Sequence, residues 1–423
     1  MSSVLKRLKY SRWRIYLPVL IGLAVIFGLL RVLVWTSKPA ATDPAPGVES
    51  AQTGETAEAE AEQAPLPAKV DLPKLAEAGP PEVKMTPAWE LKLAGNGFLT
   101  LADGKLYVST TAGEVKAVDA ATGATLWTYN IGSWIASRPT LNGGVVYVGS
   151  TDHTLYALDA QTGVLIWYFK SQGEILSSPA VEGNLVFIYS DNNHIYDLMN
   201  RIYALDSATG TLLWYFDTKG WMASSPAPWA GRLYLGCYNR VVYALDQKTG
   251  EERWTFSTKS LVFASPAISG DKVICCAIDG RIYAISEADG SLKWTRSLQE
   301  FIWLSPVMYQ YAGDPSLLFV GTNNNAVYAL ASETGDVLWA CSVGGKLEYP
   351  PQVLTDRLAV FNGNGRIYML QARDGKLIST LRAPHDFSSL PQVSADRLYA
   401  ASADGYVRAY ALQPAAAAPV AIP

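Results

Sequence analysis

At 423 residues, with 49% hydrophobic and 17% charged residues, the chain is globular in composition and has room for two or three ordinary domains or for one large ring or barrel. A net charge of -4, with no dense basic cluster beyond the first fourteen residues, excludes a nucleic-acid surface, which needs clustered Lys and Arg. Three histidines and six methionines beside 13 tryptophans and 23 tyrosines are poor stock for a catalytic or metal centre.

Residues 1–14 carry Lys6, Arg7, Lys9, Arg12 and Arg14 and no acid. Ile15 to Trp35 follows as an apolar run with Arg31 as its only charge. At the helical rise such a run covers roughly 30 Å, enough to cross a hydrocarbon core. The basic flank places residues 1–14 in the cytoplasm and everything after Trp35 outside it. The expectation is an uncleaved anchor over residues 15–35 in the inner (cytoplasmic) membrane, with the folded part in the periplasm or another extracytoplasmic space. A cleavable signal peptide is the alternative, but its apolar region is shorter and ends at a small-residue site, and no clean site is visible.

Residues 36–86 are rich in Ala, Pro, Glu and Thr and lack apolar periodicity. Such a segment cannot bury enough surface to offset ordering entropy, so it reads as a disordered linker with a mean reach on the order of 40 Å. Gln413 to Pro423 reads as a loose tail.

Everything between, residues 87–412, is repeat, and internal periods decide a fold before anything else does. The frame D-x-x-T-G-x-x-x-W puts tryptophans at Trp127, Trp167, Trp214, Trp254, Trp294 and Trp339, with Ser379 at the seventh place. A second ladder runs through Pro139, Pro179, Pro226, Pro266, Pro306, Pro351 and Pro391, and both ladders step by 40, 47, 40, 40, 45 and 40 residues. The two long steps coincide with insertions at Asp191 to Asn200 and around Tyr309 to Ser316.

Each period holds four short runs with strand character; in the third copy these are "ILSSPAV", "LVFIY", "RIYALD" and "LLWYF". Four strands in about 40 residues make one propeller blade. The last copy offers three, "SLPQVSA", "RLYAAS" and "YVRAYAL", and the missing fourth is supplied by "PAWELKL", whose Trp89 falls 38 residues before Trp127. Pairing first strand with last removes an exposed edge. The predicted fold is an all-β, eight-bladed propeller of four-stranded blades, preceded by one transmembrane helix.

The repeated residues have mechanical work to do. In "YALDAQTGVLIW", Asp159 can accept bonds from free turn N–H groups, Thr162 adds a hydroxyl bond, and Gly163 takes the positive φ of the hairpin. Trp167 then has a large apolar surface to bury and one N–H to satisfy.

The A-x-D-x-x-T-G-x-x-x-W frame resembles the tryptophan-docking repeat of the PQQ-type β-propellers. The resemblance implies that Trp89, Trp127, Trp167, Trp214, Trp254, Trp294 and Trp339 pack against the neighbouring blade. The seventh copy departs, with Ser379 for the tryptophan and Asp374 for the threonine, so the resemblance makes it the least rigid joint. Such repeats speak for fold and hardly for activity.

Two branches of that family matter. The quinoprotein dehydrogenases bind pyrroloquinoline quinone and calcium near the axis and carry adjacent cysteines against the cofactor. Cys275 and Cys276 are adjacent here, but they sit in "KVICCAI", a strand whose other copies place Gly149, Gly236 and Gly321 where Cys276 stands. A buried small residue explains that position. His153, His194 and His385 are scattered and read as loop residues, and no Asp/Glu/Asn cluster recurs to supply a base or calcium ligands. The other branch, the BamB-like proteins, consists of exported eight-bladed scaffolds of outer-membrane protein assembly; it is lipid-modified on a cysteine, whereas this chain has an apolar anchor.

A partner would meet the ring where the innermost strands begin, five residues before each ladder proline: Trp134, Glu174, Trp221, Leu261, Phe301, Lys346 and Asp386, with Phe263 and Trp303 two residues on. Aromatics mixed with a few charges suit a protein-contact surface; filling the wedge between blades is the alternative use. The intervening Ile135, Ile175, Met222, Val262, Ile302, Leu347 and Phe387 should pack between blades, and the Asp191 to Asn200 insertion should overhang the same mouth. The expected function is a non-catalytic, membrane-anchored scaffold for envelope proteins or extended peptides, without cofactor, metal or nucleic acid. The alternatives are a quinone- and calcium-dependent dehydrogenase of alcohols or sugars and a small-ligand sensor.

Overall fold

The computed structural model describes residues 80–191, 200–222, 224–310 and 316–412, all within the compact unit Gln63–Pro423. The expectations for residues 1–79, for the interior of the Asp191 to Asn200 insertion and for the tail after Leu412 lie outside the described residues. Among the described residues strands are the only regular elements, and no helix is long and apolar enough to cross a membrane.

The strands form eight sheets in sequence order, each built on four antiparallel strands. Blade 1 runs Gly97–Ala102, Lys105–Thr110, Glu114–Asp119, Thr125–Asn130, and the pattern repeats to blade 7 at Gln352–Leu354, Arg357–Phe361, Arg366–Gln371, Leu377–Arg382. Blade 8 takes Gln392–Val393, Arg397–Ala401 and Tyr406–Ala411 from the end of the chain, and Pro87–Lys92 pairs antiparallel with Tyr406–Ala411 as its outermost strand. The ring is therefore closed by its two ends.

Each sheet is sandwiched by its neighbours, which is why second strands such as Leu185–Ser190 are buried on both faces while outermost strands such as Leu165–Lys170 alternate. The core lies between blades. One cluster joins Tyr107, Val115 and Trp127 of blade 1 to Ile135, Val148 and Leu158 of blade 2, and equivalent clusters recur around the ring.

The tryptophan joint is built the same way seven times. Trp89, Trp127, Trp167, Trp214, Trp254, Trp294 and Trp339 each donate the indole N–H to a main-chain carbonyl of the next blade, at Ala120, Ala160, Ser207, Gln247, Glu287, Ser332 and Ala372, over 2.8–3.1 Å. Each indole also lies flat on the turn glycine of that blade. A Cβ on Gly123, Gly163, Gly210, Gly250, Gly290, Gly335 or Gly375 would stand 2.5–2.8 Å from the ring, and each has φ of +70 to +78°. Glycine is required there twice over, by contact and by backbone. The turn is braced by the aspartate: Asp159 Oδ1 accepts from Gln161 N, Thr162 N and Thr162 Oγ1, and Thr162 Oγ1 accepts from Val164 N. On the blade that carries the tryptophan, alanine faces it across the strand pair, as Ala157 does Trp167 and Ala204 does Trp214.

Two details differ from the sequence reading. The innermost strands are short, Ala180–Glu182 rather than the whole of "ILSSPAV", because Pro179 has no N–H to give a ladder. Within residues 36–86, expected as linker, one short strand lies near the end. Val83–Lys84 form a strand that pairs in parallel with Leu381 and Arg382 on the outer edge of blade 7, and Glu82 and Arg366 form an ion pair beside it. An open edge recruits a strand whose main chain can satisfy it. The Ser379 joint is also filled. Met369 replaces the alanine opposite it, and Met85 packs on the cluster that joins blades 7 and 8.

Candidate protein-contact rim

The positions five residues before each proline are held by one repeated bond. The carbonyls of Trp134, Glu174, Trp221, Leu261, Phe301, Lys346 and Asp386 accept main-chain N–H groups from Thr151, Asp191, Tyr238, Ile278, Asn323, Gly363 and Ala403, over 2.8–3.3 Å. Each donor lies in the loop between the second and third strands of the same blade. The seven residues therefore share one end of the ring with those loops and with Asp191 and Asn200, which flank the insertion. The Asp-Thr-Gly turns and the hairpin carrying Tyr309 occupy the other end.

The residues between rim and proline are buried without exception: Ile135, Ile175, Met222, Val262, Ile302, Leu347 and Phe387 are at most 7% exposed. They wedge between blades and press on a small residue of the second strand. A Cβ on Gly236 would lie 2.5 Å from Val262 Cγ1. Cys276 occupies that small-residue position in blade 5.

The rim side chains fall into groups. Phe301 and Trp303, on blade 6, are 53% and 43% exposed, and the Lys346 ammonium lies 5.8 Å from the Trp303 ring centroid, within cation–π range. Trp221 and Phe263 are half-buried and meet through Tyr238, whose ring centroid is 6.3 Å from that of Trp221 and 4.2 Å from that of Phe263. Burial, and then the charge of Asp191, push the Tyr238 hydroxyl up from its ordinary pKa. Burial, and then the same aspartate, raise the Glu174 carboxyl, while His153 opposes that rise. The acids thus flank the aromatic group of blades 4 and 5, and the cation sits with blade 6. Trp134 is half-buried and Asp386 exposed, on blades 2 and 8. Tyr238 is the residue the repeat phase missed, because it enters from the loop 17 positions further on; the aromatic in "GCYNR" was its only signal.

None of the four cysteines is activated as a nucleophile. All four cysteines are buried and free, and burial raises the thiols of Cys237 and Cys341 to about 12 and pushes those of Cys275 and Cys276 up as well. Cys275 and Cys276 point to opposite faces of the strand Lys272–Cys276, one into the core shared with blade 4 and the other into the core shared with blade 6. A side-by-side pair set against a cofactor does not fit that arrangement. Among the described residues no three His, Cys, Asp or Glu side chains come together to hold a metal ion.

Among solved structures, the chain is similar to BamB from Moraxella catarrhalis, with 20% identity, a TM-score of 0.64, and coverage of 78% of this chain and 98% of that one. It is similar to the quinohemoprotein alcohol dehydrogenase of Comamonas testosteroni at 15% identity and a TM-score of 0.61, over 77% and 76% of the two chains. A europium-containing methanol dehydrogenase gives 12% identity and a TM-score of 0.63, over 78% and 93%. Likeness at these identities establishes the fold. No curated protein matches the sequence. The family described as the β-propeller of the beta-alanine-activating enzyme matches residues 99–412, and with seven docked tryptophans around a ring closed by its own ends, the chain belongs to that propeller family.

Proposed function

We propose that the protein is a non-catalytic, membrane-anchored scaffold that presents the propeller outside the cytoplasm and binds envelope proteins or extended peptides on the rim. One observation carries the reading. Phe301 and Trp303 project large apolar surface at the end of the ring where the insertion also emerges, with Lys346 beside them. Exposed aromatics next to a cation, with half-buried Trp221 and Phe263 on blades 4 and 5, have the makeup of an interface hot spot rather than of a wedge between blades. The fold likeness to BamB supports a role in outer-membrane protein assembly. The apolar, basic-flanked N-terminal sequence supports the anchor.

The competing reading is a quinone- and calcium-dependent dehydrogenase, favoured by the fold likeness to the alcohol and methanol dehydrogenases. Against it stand the two cysteines turned into separate cores and the scattered histidines.

Pull-down from envelope extract with the full chain, compared with Phe301→Ala/Trp303→Ala, tests the scaffold. Recovery of outer-membrane or assembly proteins by the native chain and their loss from the variant is the expected result; equal recovery by both removes the rim from the account. Dye reduction with alcohols or sugars after addition of pyrroloquinoline quinone and calcium would replace the scaffold reading with the enzymatic one.

A further inference from the structure

The outermost strand of a blade pairs with the third strand alone, which leaves its other main-chain edge on the circumference of the ring. Blade 7 is the exception. Its outermost strand has taken on Val83–Lys84 in parallel, and Met85 N extends the ladder with a bond to Arg382 O at 2.8 Å. The circumference of this molecule therefore already accepts an added strand through main-chain bonds.

The open edges differ in what their side chains offer. The two residues that flank the docking tryptophan point away from the joint it fills. In blades 4 and 5 these are Arg253 with Thr255 and Lys293 with Thr295, charges of the kind that keep an edge from pairing. In blade 8 they are Ala88 and Glu90, behind Pro87, and blades 1 and 6 have Leu126 with Thr128 and Leu338 with Ala340. Among the open edges of the described residues, only those of blades 2 and 3 carry a large apolar residue at both places: Ile166 with Tyr168, and Leu213 with Tyr215. With Val164 and Leu212 beside them, these side chains are 41–64% exposed. The two blades are neighbours, and rings cross the joint between them. Tyr215 stands 6.4 Å from Tyr203, which Phe169 of blade 2 meets edge-on at 5.4 Å, and the Arg201 guanidinium lies 4.3 Å from the Tyr215 ring centroid. An apolar edge left neither charged nor covered is a surface that a soluble fold ordinarily avoids.

We propose that the outer edges of blades 2 and 3 dock an extended segment of a partner protein by strand addition, a segment that alternates apolar with polar side chains. Its main chain pairs with the open edge of Leu165–Lys170 or Leu212–Thr218, and its apolar side chains lie across Ile166 and Tyr168 or Leu213 and Tyr215. A helix could cover the side chains but would leave the main-chain edge as it is, and blade 7 shows that this fold satisfies such an edge with a strand. The surface lies on the circumference, apart from the rim, and rests neither on the rim nor on the anchor.

Fluorescence anisotropy of the full chain tests it, with a labelled peptide of about eight residues that alternates valine and threonine between terminal lysines. The same peptide with proline at two central positions is the control, since proline has no N–H for a ladder. Saturable binding of the first peptide and none of the second is expected, with slower amide hydrogen exchange at Leu165–Lys170 or Leu212–Thr218 and no change in the outermost strands of blades 4 and 5. Ile166→Arg/Tyr168→Thr/Leu213→Arg/Tyr215→Thr gives both edges the residues that blade 4 carries, and it should weaken binding about tenfold, as the loss of two cross-strand pairs at an edge does. No saturable binding, equal binding of the proline peptide, or equal affinity in the variant overturns the proposal. Dimerisation of the native chain that the variant abolishes, without peptide binding, would assign the edges to a second copy and overturn it too. If the variant does not fold, exchange in the native chain decides: protection confined to blades 2 and 3 supports the site, and protection elsewhere or none overturns it.

Discussion

The joint between blades 3 and 4 and the joint between blades 7 and 8 meet the same packing problem with different parts. At the first, Trp214 lies on Gly250, donates to Gln247 O at 2.8 Å and faces Ala204 across the strand pair. At the second, Ser379 faces Met369. Blade 8 has no turn to receive an indole, because its outermost strand arrives from Pro87–Lys92 and no hairpin joins it to Tyr406–Ala411. The motif is missing where its receptor is missing. Methionine opposite serine restores part of the volume of the missing indole, and Met85 supplies further apolar contact.

That difference makes the two joints unequal under mutation. Trp214→Ala leaves a cavity and an orphaned carbonyl, and the expected loss is about 3–5 kcal/mol in urea unfolding. Ser379→Ala should stay within about 0.5 kcal/mol. Equal losses at the two sites would show that the indoles are not the fasteners. A smaller effect sharpens the comparison: Ser379→Trp should cost about 1–3 kcal/mol by overpacking against Met369. Adding Met369→Ala should recover most of it, a coupling that a double-mutant cycle reads directly. Recovery beyond the native level would mean that blade 8 holds a receptor after all.

How much of this was legible in the sequence follows the same division. The docked joints were readable because one constraint repeats: an indole needs a flat partner and an acceptor, and only glycine at positive φ provides the first. Blade count, ring closure and the buried residues at Ile135 or Val262 come from the same periodicity. The strand Val83–Lys84 was not readable, since two residues in a polar segment carry no period and their partner lies some 300 positions away. The rim was legible in phase but not in exposure. Phe301 and Trp303 project while Trp221 and Phe263 are drawn onto Tyr238, and the stretch between rim and proline has no ladder whose alternation could tell them apart.

The added strand is the part of the undocked joint most easily removed. Met85 is half-buried on the cluster of blades 7 and 8, so Met85→Ala should cost about 1 kcal/mol, below the range for a fully buried methionine. Its local signature is faster amide hydrogen exchange at Leu381 and Arg382, with the outer strand of blade 3 unaffected. Glu82→Ala should change little, as exposed ion pairs do. Unchanged exchange in Met85→Ala would mean that blade 7 holds its edge without help.

The smallest expected effect at neutral pH concerns the turns that receive the indoles. Asp119, Asp159 and Asp206 are held below the usual carboxylate range by bonds from the turn threonines. Asp246 is brought to about 2, first by Arg253 and then by its turn N–H groups. A carboxyl whose folded pKa lies below its unfolded value binds fewer protons when folded. Its contribution is fully present above the unfolded value of about 4 and is lost as pH falls through the folded one. The urea midpoint should therefore be flat from neutrality down to about pH 5 and decline toward pH 2. Asp159→Asn should lower the midpoint at neutral pH and make its acid decline shallower. The blade 6 turn makes the contrast, because Ala331 stands at the position of Asp159 and cannot titrate while Thr334 keeps the threonine. Ala331→Asp should steepen the acid decline if the carboxylate is what braces a turn, and an unchanged slope would assign the bracing to Thr162 and its equivalents instead.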